Sequence, residues 1–237
     1  ATIMGAVLAT AGAYLLDFLD DSITLPDQAE EALGVALLGT VPQMTAAEGA
    51  TPGHMLIMRT DPYTVAAEAF RVLRANVLFA SVDTPVHAIQ VTSPSPGDGK
   101  SSIAANLAIA MAQAGKRVIL IDGDLRKPDV RYMLNVPNGS GGVQEVLLGG
   151  DPNGIICVVP GSGLHVLAAN ARSLADPYEL LASSTAAEQI DKIGRDYDHV
   201  IVDTPPALAF PDAIVWAKLT DAVILVGFAG QTTAPVR

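Results

Sequence analysis

Residues 86–115 read VHAIQVTSPSPGDGKSSIAANLAIAMAQAG, and the rest of the architecture can be worked out from them. Val86 to Thr92 is a strand-like apolar run. It leads into a turn rich in Pro and Gly, then Lys100-Ser101, then a long Ala-rich segment with no breaker before Gly115. Strand, glycine-rich turn, Lys-Ser and helix is the context a P-loop requires. Gly97 and Gly99 would let backbone N–H groups close around phosphates at a helix N-terminus. Lys100 would reach the β- and γ-phosphates, and Ser101 would ligate Mg²⁺. The match to GxxxxGK[ST] is partial, because Pro94 stands where the first glycine belongs.

Two further segments carry acids at matching places. VILIDGDLRKP (118–128) is an apolar strand ending in Asp122 and Asp124. YDHVIVDTPP (197–206) is another, ending in Asp203. Parallel strands put their C-terminal ends on one edge of the sheet, where open α/β folds bind ligands. Three carboxylates would therefore converge beside the phosphate loop. Buried acids without a partner are costly, and Mg²⁺ with ATP is the natural partner. A helix cap is the competing reading for Asp203 taken alone.

The chain has 237 residues, half of them hydrophobic and 16% charged, so disorder is excluded and a large core is within reach. Its net charge is −11. So acidic a surface argues against nucleic acid as a partner. A single cysteine, Cys157, rules out an internal disulfide and any multi-cysteine metal site. Residues 1–58 hold seven acids and no Lys or Arg, which sets them apart from the remainder. ATIMGAVLATAGAYLL (1–16) carries no charge and no polar face. It is slightly short for a bilayer span, and residues 1–19 are expected to be the trailing end of a transmembrane helix rather than a buried amphipathic one. Pro26 to Leu33 predicts a short helix with an acidic first turn, ended by Gly34. VALLGTVP (35–42) predicts a short strand. The Ala-, Thr-, Pro- and Gly-rich stretch 43–61 reads as linker, so residues 20–61 form a juxtamembrane segment and linker.

Pro62 to Ala80 has apolar residues at helical spacing, with Glu68, Arg71 and Arg74 along one side. A surface ion pair is the plain reading of those three. Further on, 138–150 predicts a loop and short helix. Cys157–Pro160 and Leu164–Ala168 predict short strands, and Asp176 to about Arg195 a helix. His165 reads as a satisfied core residue, Trp216 and Phe228 as packing residues, and Arg131 as a solvated charge. Alternating strands and helices predict an α/β fold, a mainly parallel sheet with helices on both faces.

TSPSPGDGKSS (92–102), VILIDGDLRKP and VIVDTPP together resemble the Walker A, A′ and B motifs of the bacterial tyrosine kinases of capsule and exopolysaccharide synthesis. EAFRVLRANV (68–77) resembles that family's E-x-x-R-x-x-R helix. FLDDSITLPDQAEEALGVALLGTVP (18–42) looks like the cytoplasmic exit of its membrane-anchored chain-length-determining module. The resemblance implies a P-loop NTPase fold over residues 62–237 and an ATP- and Mg²⁺-dependent protein-tyrosine autokinase. It also accounts for Pro94, since these kinases often lack the first glycine. Residue by residue, it implies that Pro96, Gly97, Asp98, Gly99, Lys100, Ser101 and Ser102 bind the nucleotide. Asp122 would be the base toward the tyrosine hydroxyl. Asp124 and Asp203 would support the metal and its waters, with Ser101, Asp122 and Asp203 nearest the ion. Glu68, Arg71 and Arg74 would mediate ring-like self-association.

Implied partners are the membrane activator module, tyrosine-containing protein substrates and a cognate tyrosine phosphatase, with the kinase domain on the cytoplasmic side of the inner or plasma membrane. The chain departs from the family in lacking a cluster of C-terminal tyrosines, and it stops at GFAGQTTAPVR, just after the apolar strand AVILVGF (222–228). It is expected to be a fragment at both ends. The competing reading is a partition- or septum-type ATPase acting as a dimer switch. Those proteins share the Walker elements but carry a signature lysine where this chain has Ser95. A scaffold with a decayed kinase module is disfavoured by the intact Lys100, Ser101, Asp122, Asp124 and Asp203.

Overall fold

The computed structural model describes residues 5, 22–44, 56–82, 84–137, 141–170 and 176–233. It divides into two compact units, residues 38–227 and a smaller one made of residues 1–37 with 228–237. The expected transmembrane segment 1–19 lies outside the described residues apart from Gly5. Among the described residues no helix is long and apolar enough to cross a membrane.

In the smaller unit, helix α1 (Pro26–Leu33) starts at a proline, whose fixed φ suits the first helical turn. It stops at Gly34, where φ is 65°. The Gln28 side chain accepts from the N–H groups of Thr24 and Leu25 and closes the entry. Ser22 and Thr233 form an antiparallel bridge.

The larger unit is built on one six-stranded sheet. In chain order its elements are α2 (Ile57–Thr60), α3 (Val65–Ala80), β1 (Ala88–Thr92), α4 (Lys100–Gln113), β2 (Val118–Asp122), α5 (Val130–Met133) and α6 (Val143–Leu147). They continue with β3 (Cys157–Val158), β4 (His165–Leu167), α7 (Pro177–Leu181), α8 (Ser184–Gly194), β5 (His199–Asp203), α9 (Asp212–Leu219) and β6 (Ala222–Leu225). The strand order is β3-β4-β2-β5-β1-β6, and every pairing is parallel except β3 with β4.

Strands β1, β2 and β5 are buried along their whole length. Successive side chains point to opposite faces, so each strand feeds two cores. Ile89, Val91, Val118, Leu120 and Ile201 face the core completed by α2, α3 and α4. Ala88, Ile119, Ile121, Val200 and Val202 face the one completed by α6, α7, α8 and α9. This is the mainly parallel sheet, covered on both faces, that the alternation of elements predicts.

Several local readings shift, each for a physical reason. The helix expected from Pro62 begins at Val65, because the Thr64 hydroxyl accepts from Ala67 N and caps it. The helix expected over 176–195 is split, since Ser183 caps a fresh start through Ala186 N. VALLGTVP forms no strand; instead Leu38 and Val41 pack onto the first core, and Asn76 Nδ2 donates to Leu38 O. Composition reads 43–61 as linker, yet Leu56, Ile57 and Met58 are buried. Buried Asn106 on α4 accepts from Met58 N, and Gln113 donates to Met58 O, so residues 56–58 are docked. Residues 45–55 lie outside the described ones.

Candidate active site

β1 ends at Thr92 and α4 starts at Lys100, so residues 93–99 must turn the chain sharply above the sheet edge. Gly97 (φ 94°) and Gly99 (φ 89°) make that turn with left-handed backbone, and the space a Cβ would occupy at either is open. Asp98 is buried, and its Oδ2 accepts from Ser95 N at 3.0 Å. Ser93 Oγ donates to Ser95 O at 2.7 Å. Side chains from within the loop thus hold its shape, while Pro96 and Gly97 stay exposed. Buried Ser102 lies in the first turn of α4, its carbonyl accepting from Asn106 Nδ2.

The acids come from the neighbouring strand ends. Asp122 and Asp203 close β2 and β5 and stand opposite each other in the parallel register. Asp124 follows two residues beyond β2, its Oδ1 accepting from Lys127 N at 3.0 Å. Lys100 Nζ lies 3.4 Å from Asp124 Oδ2, 3.9 Å from Asp203 Oδ1 and 3.1 Å from Ser101 Oγ. All three expected carboxylates and the expected lysine are therefore in one place, at the head of α4. After β5 the chain is stitched back to β1: Thr204 N donates to Val91 O, Thr92 Oγ1 to Pro205 O and Ala207 N to Ser93 O.

The electrostatics are unbalanced, three buried acids against one lysine. Burial opposes the charge on Lys100, but Asp203 and Asp124 outweigh it and hold the ammonium above its ordinary range. Burial, with Asp203 and Asp124 adding to it, pushes the Asp122 carboxyl well above the usual carboxylate range. Asp203 is pushed up to about 6 by burial, with Lys100 pulling the other way. Asp122 Oδ2 accepts from Val130 N at 3.2 Å. Its Oδ1 and both oxygens of Asp203 have no hydrogen-bond partner among the described residues.

That arrangement fits a nucleotide and a divalent cation. Unpartnered buried carboxylate oxygens need positive charge, and the open glycine turn leaves room for phosphates. No group of three or more His, Cys, Asp or Glu side chains is placed to hold a metal among the described residues. Mg²⁺ is ordinarily held by one or two carboxylates together with substrate phosphates.

Glu68, Arg71 and Arg74 are not part of this cluster. They lie on α3, where Arg71 Nη1 meets Glu68 Oε2 at 2.8 Å and Arg74 Nη1 donates to Ala110 O of α4 at 3.0 Å. His165 is satisfied by Tyr197 Oη at 3.0 Å, as expected of a core histidine. Arg131 is no solvated charge: it donates to the carbonyls of Pro137, Gly141 and Ala169 and to Asn170 Oδ1. Asp212, which no motif marks, is buried and takes both Nε (2.6 Å) and Nη2 (2.9 Å) of Arg126. Only its i, i+4 spacing to Trp216 on α9 hints at a shared face.

The fold and the site together define a P-loop nucleotide-binding protein. Residues 86–227 match the family model described as an AAA domain. The chain is 38% identical over 177 residues to the tyrosine-protein kinase YwqD of Bacillus subtilis, covering 75% of this chain and 74% of that protein. It is 32% identical to the putative tyrosine-protein kinase EpsB of Ralstonia solanacearum, over 95% of this chain but 31% of that longer protein. Among solved structures, the kinase domain of the Escherichia coli tyrosine kinase Etk superposes with a TM-score of 0.78 at 30% identity, covering 89% of this chain and 84% of that one. The septum site-determining protein MinD of Pyrococcus horikoshii, complexed with Mg-ADP, gives 0.52 at 26% identity, over 59% of this chain and 57% of that one. The chain belongs to the bacterial tyrosine kinase family.

Proposed function

We propose that this chain is the catalytic module of an ATP-dependent protein-tyrosine autokinase that controls the polymerisation or export of a capsular or extracellular polysaccharide. The observation that carries the reading is the convergence of Lys100, Asp124 and Asp203 at the head of α4, with Asp122 buried behind them. Residues 96–102 bind the phosphates through backbone N–H groups and Lys100. Ser101, Asp122 and Asp203 would hold Mg²⁺, with Asp124 in support; such an ion would neutralise charge on the transferring phosphoryl group.

Asp122 is the base. Its Oδ2 is fixed by Val130 N, which leaves Oδ1 to receive the tyrosine proton. The tyrosine oxygen forms a bond to the γ-phosphorus while the bond to the β–γ bridging oxygen breaks, and ADP leaves. Little covalent help is needed, so alignment and charge neutralisation carry the rate.

The E-x-x-R-x-x-R helix, α3, serves ring-like self-association through Glu68, Arg71 and Arg74. A membrane activator module would hold the domain at the cytoplasmic face of the inner or plasma membrane. A cognate tyrosine phosphatase would reset it. A septum-type ATPase switch is the second reading, favoured by the likeness to MinD and disfavoured by Ser95 at the position of the signature lysine.

The test is to incubate the full-length parent protein and its Lys100→Ala variant with Mg-ATP and to map phosphorylation by mass spectrometry. Phosphotyrosine present in the parent and lost in the variant is expected. Retained labelling in the variant refutes the site assignment. ATP turnover without phosphotyrosine moves the protein to the ATPase-switch class.

A further inference from the structure

We propose that helix α9 is the positioning element of the catalytic carboxylates: Asp212 and Trp216 grip the turn from Asp122 to Arg126 at two points and hold its acids in line with Asp203. The two residues are one helical turn apart, so they lie on the same face of α9.

The first grip is at Gly123. Fully buried Trp216 donates its indole Nε1–H to Gly123 O at 3.1 Å. The N–H of the same glycine donates to Asp203 O at 2.7 Å. The residue between Asp122 and Asp124 is thus held on one side by the end of β5 and on the other by α9. The approach is so close that a Cβ at position 123 would stand 2.8 Å from both Asp203 O and Trp216 Nε1. Glycine here is a condition of the grip.

The second grip is at Arg126. Asp212, 1% exposed, receives its guanidinium through two hydrogen bonds, and a bidentate pair fixes direction as well as distance. The Phe210 ring supports the same guanidinium, 4.7 Å from its centroid. Gln90 Nε2 adds a third tie, donating to Thr204 Oγ1 and to Ala213 O, so the first turn of α9 is bound to the residue that follows Asp203. Asp124, the acid nearest Lys100, lies between the two grips. Trp216 and Asp212 act through that turn, which makes them positioning residues.

The assay rests on the kinase reading, but the nucleotide titration below does not. Trp216→Phe keeps a buried ring and deletes the donor; Asp212→Asn keeps the shape and weakens the second grip. Each should lower kcat for phosphotyrosine formation, per folded molecule, by about tenfold, because small misplacements of catalytic groups are amplified in rate. KM for ATP should hold, since residues 96–102 are untouched. The Mg²⁺ concentration that half-saturates Mg-ADP binding should rise severalfold. The two effects should combine to less than their product, because both pass through one turn. Val215→Ala, a buried truncation on the same helix that removes none of the grip hydrogen bonds, should lower the urea midpoint and leave kcat and the Mg²⁺ requirement alone.

Unchanged kcat and unchanged Mg²⁺ requirement in Trp216→Phe would overturn the proposal, as would equal losses in Val215→Ala. A wild type that binds Mg-ADP but forms no phosphotyrosine removes the kinase reading. The Mg²⁺ requirement of Trp216→Phe then decides the clamp by itself. A wild type that binds no Mg-ADP overturns both.

Discussion

Asp203→Asn should make the nucleotide-free protein more stable at neutral pH while disabling it. The Asp203 carboxyl is pushed from the ordinary 3.8 up to about 6, chiefly by burial. The folded state therefore holds a proton more tightly than the unfolded state does. Stability is fully present below pH 4 and is lost as the pH rises through about 6. A shift of roughly two units corresponds to about 3 kcal/mol by pH 7.5. The attraction of Lys100 is already contained in that shift, so it does not have to be subtracted again. Asparagine has the shape of the neutral acid and escapes the cost. In a chain of this length each kcal/mol is worth about 2–4 °C, so a rise of about 6–12 °C in Tm is expected at pH 7.5. Near pH 4 the two proteins should melt together. Urea melts of both proteins from pH 4 to pH 7.5, without nucleotide, make the measurement. Mg-ADP should raise the melting temperature of the wild type and do less for the variant. Parallel stability curves across that range, or a variant less stable at pH 7.5, would refute the reasoning.

Gly123→Ala should cost about 1–3 kcal/mol by overpacking, and Mg-ADP affinity should fall with it, because the clash is with backbone and a buried indole; a urea melt reads the first and calorimetric titration the second. Arg131→Ala should lower the urea-derived stability by about 2–3 kcal/mol, since one guanidinium satisfies three carbonyls and Asn170. Arg74→Ala should cost about 1 kcal/mol by removing the guanidinium bond to Ala110 O that ties α3 to α4. Sedimentation of the full-length protein shows whether self-association weakens as well, and a smaller assembly at unchanged stability would assign Arg74 to contacts between chains.

The meeting of Lys100 with three strand-end carboxylates was legible in the sequence because its parts are local. A strand, a turn and a helix N-terminus lie within residues 86–115, and each acid ends its own apolar strand. Parallel pairing then brings the ends together without further instruction. What composition could not show depends on contacts between distant segments. Leu56 to Met58 sit in a stretch that reads as linker, and it takes the side chains of Asn106, 48 residues on, and Gln113 to show them docked. Arg131 looks like surface charge until the carbonyls of two loops are placed around it. Asp212 and Trp216 fall on a helix whose amphipathic pattern is weak, and neither belongs to a motif. Their role appears once Gly123 and Arg126 are set beside them.

The parallel sheet has a consequence for the time at which this protein acquires its chemistry. The floor of the phosphate cradle is closed by Thr92 Oγ1 on Pro205 O, 113 residues away in sequence, and by Gln90 Nε2 on Ala213 O, 123 residues away. Contacts of such separation form late, after the chain between them has been confined. A nascent chain leaving the ribosome carries its glycine turn and lysine long before the strand that bears Asp203 is made. The cluster of Lys100 with Asp203 therefore cannot assemble until that strand has been made and paired beside β1.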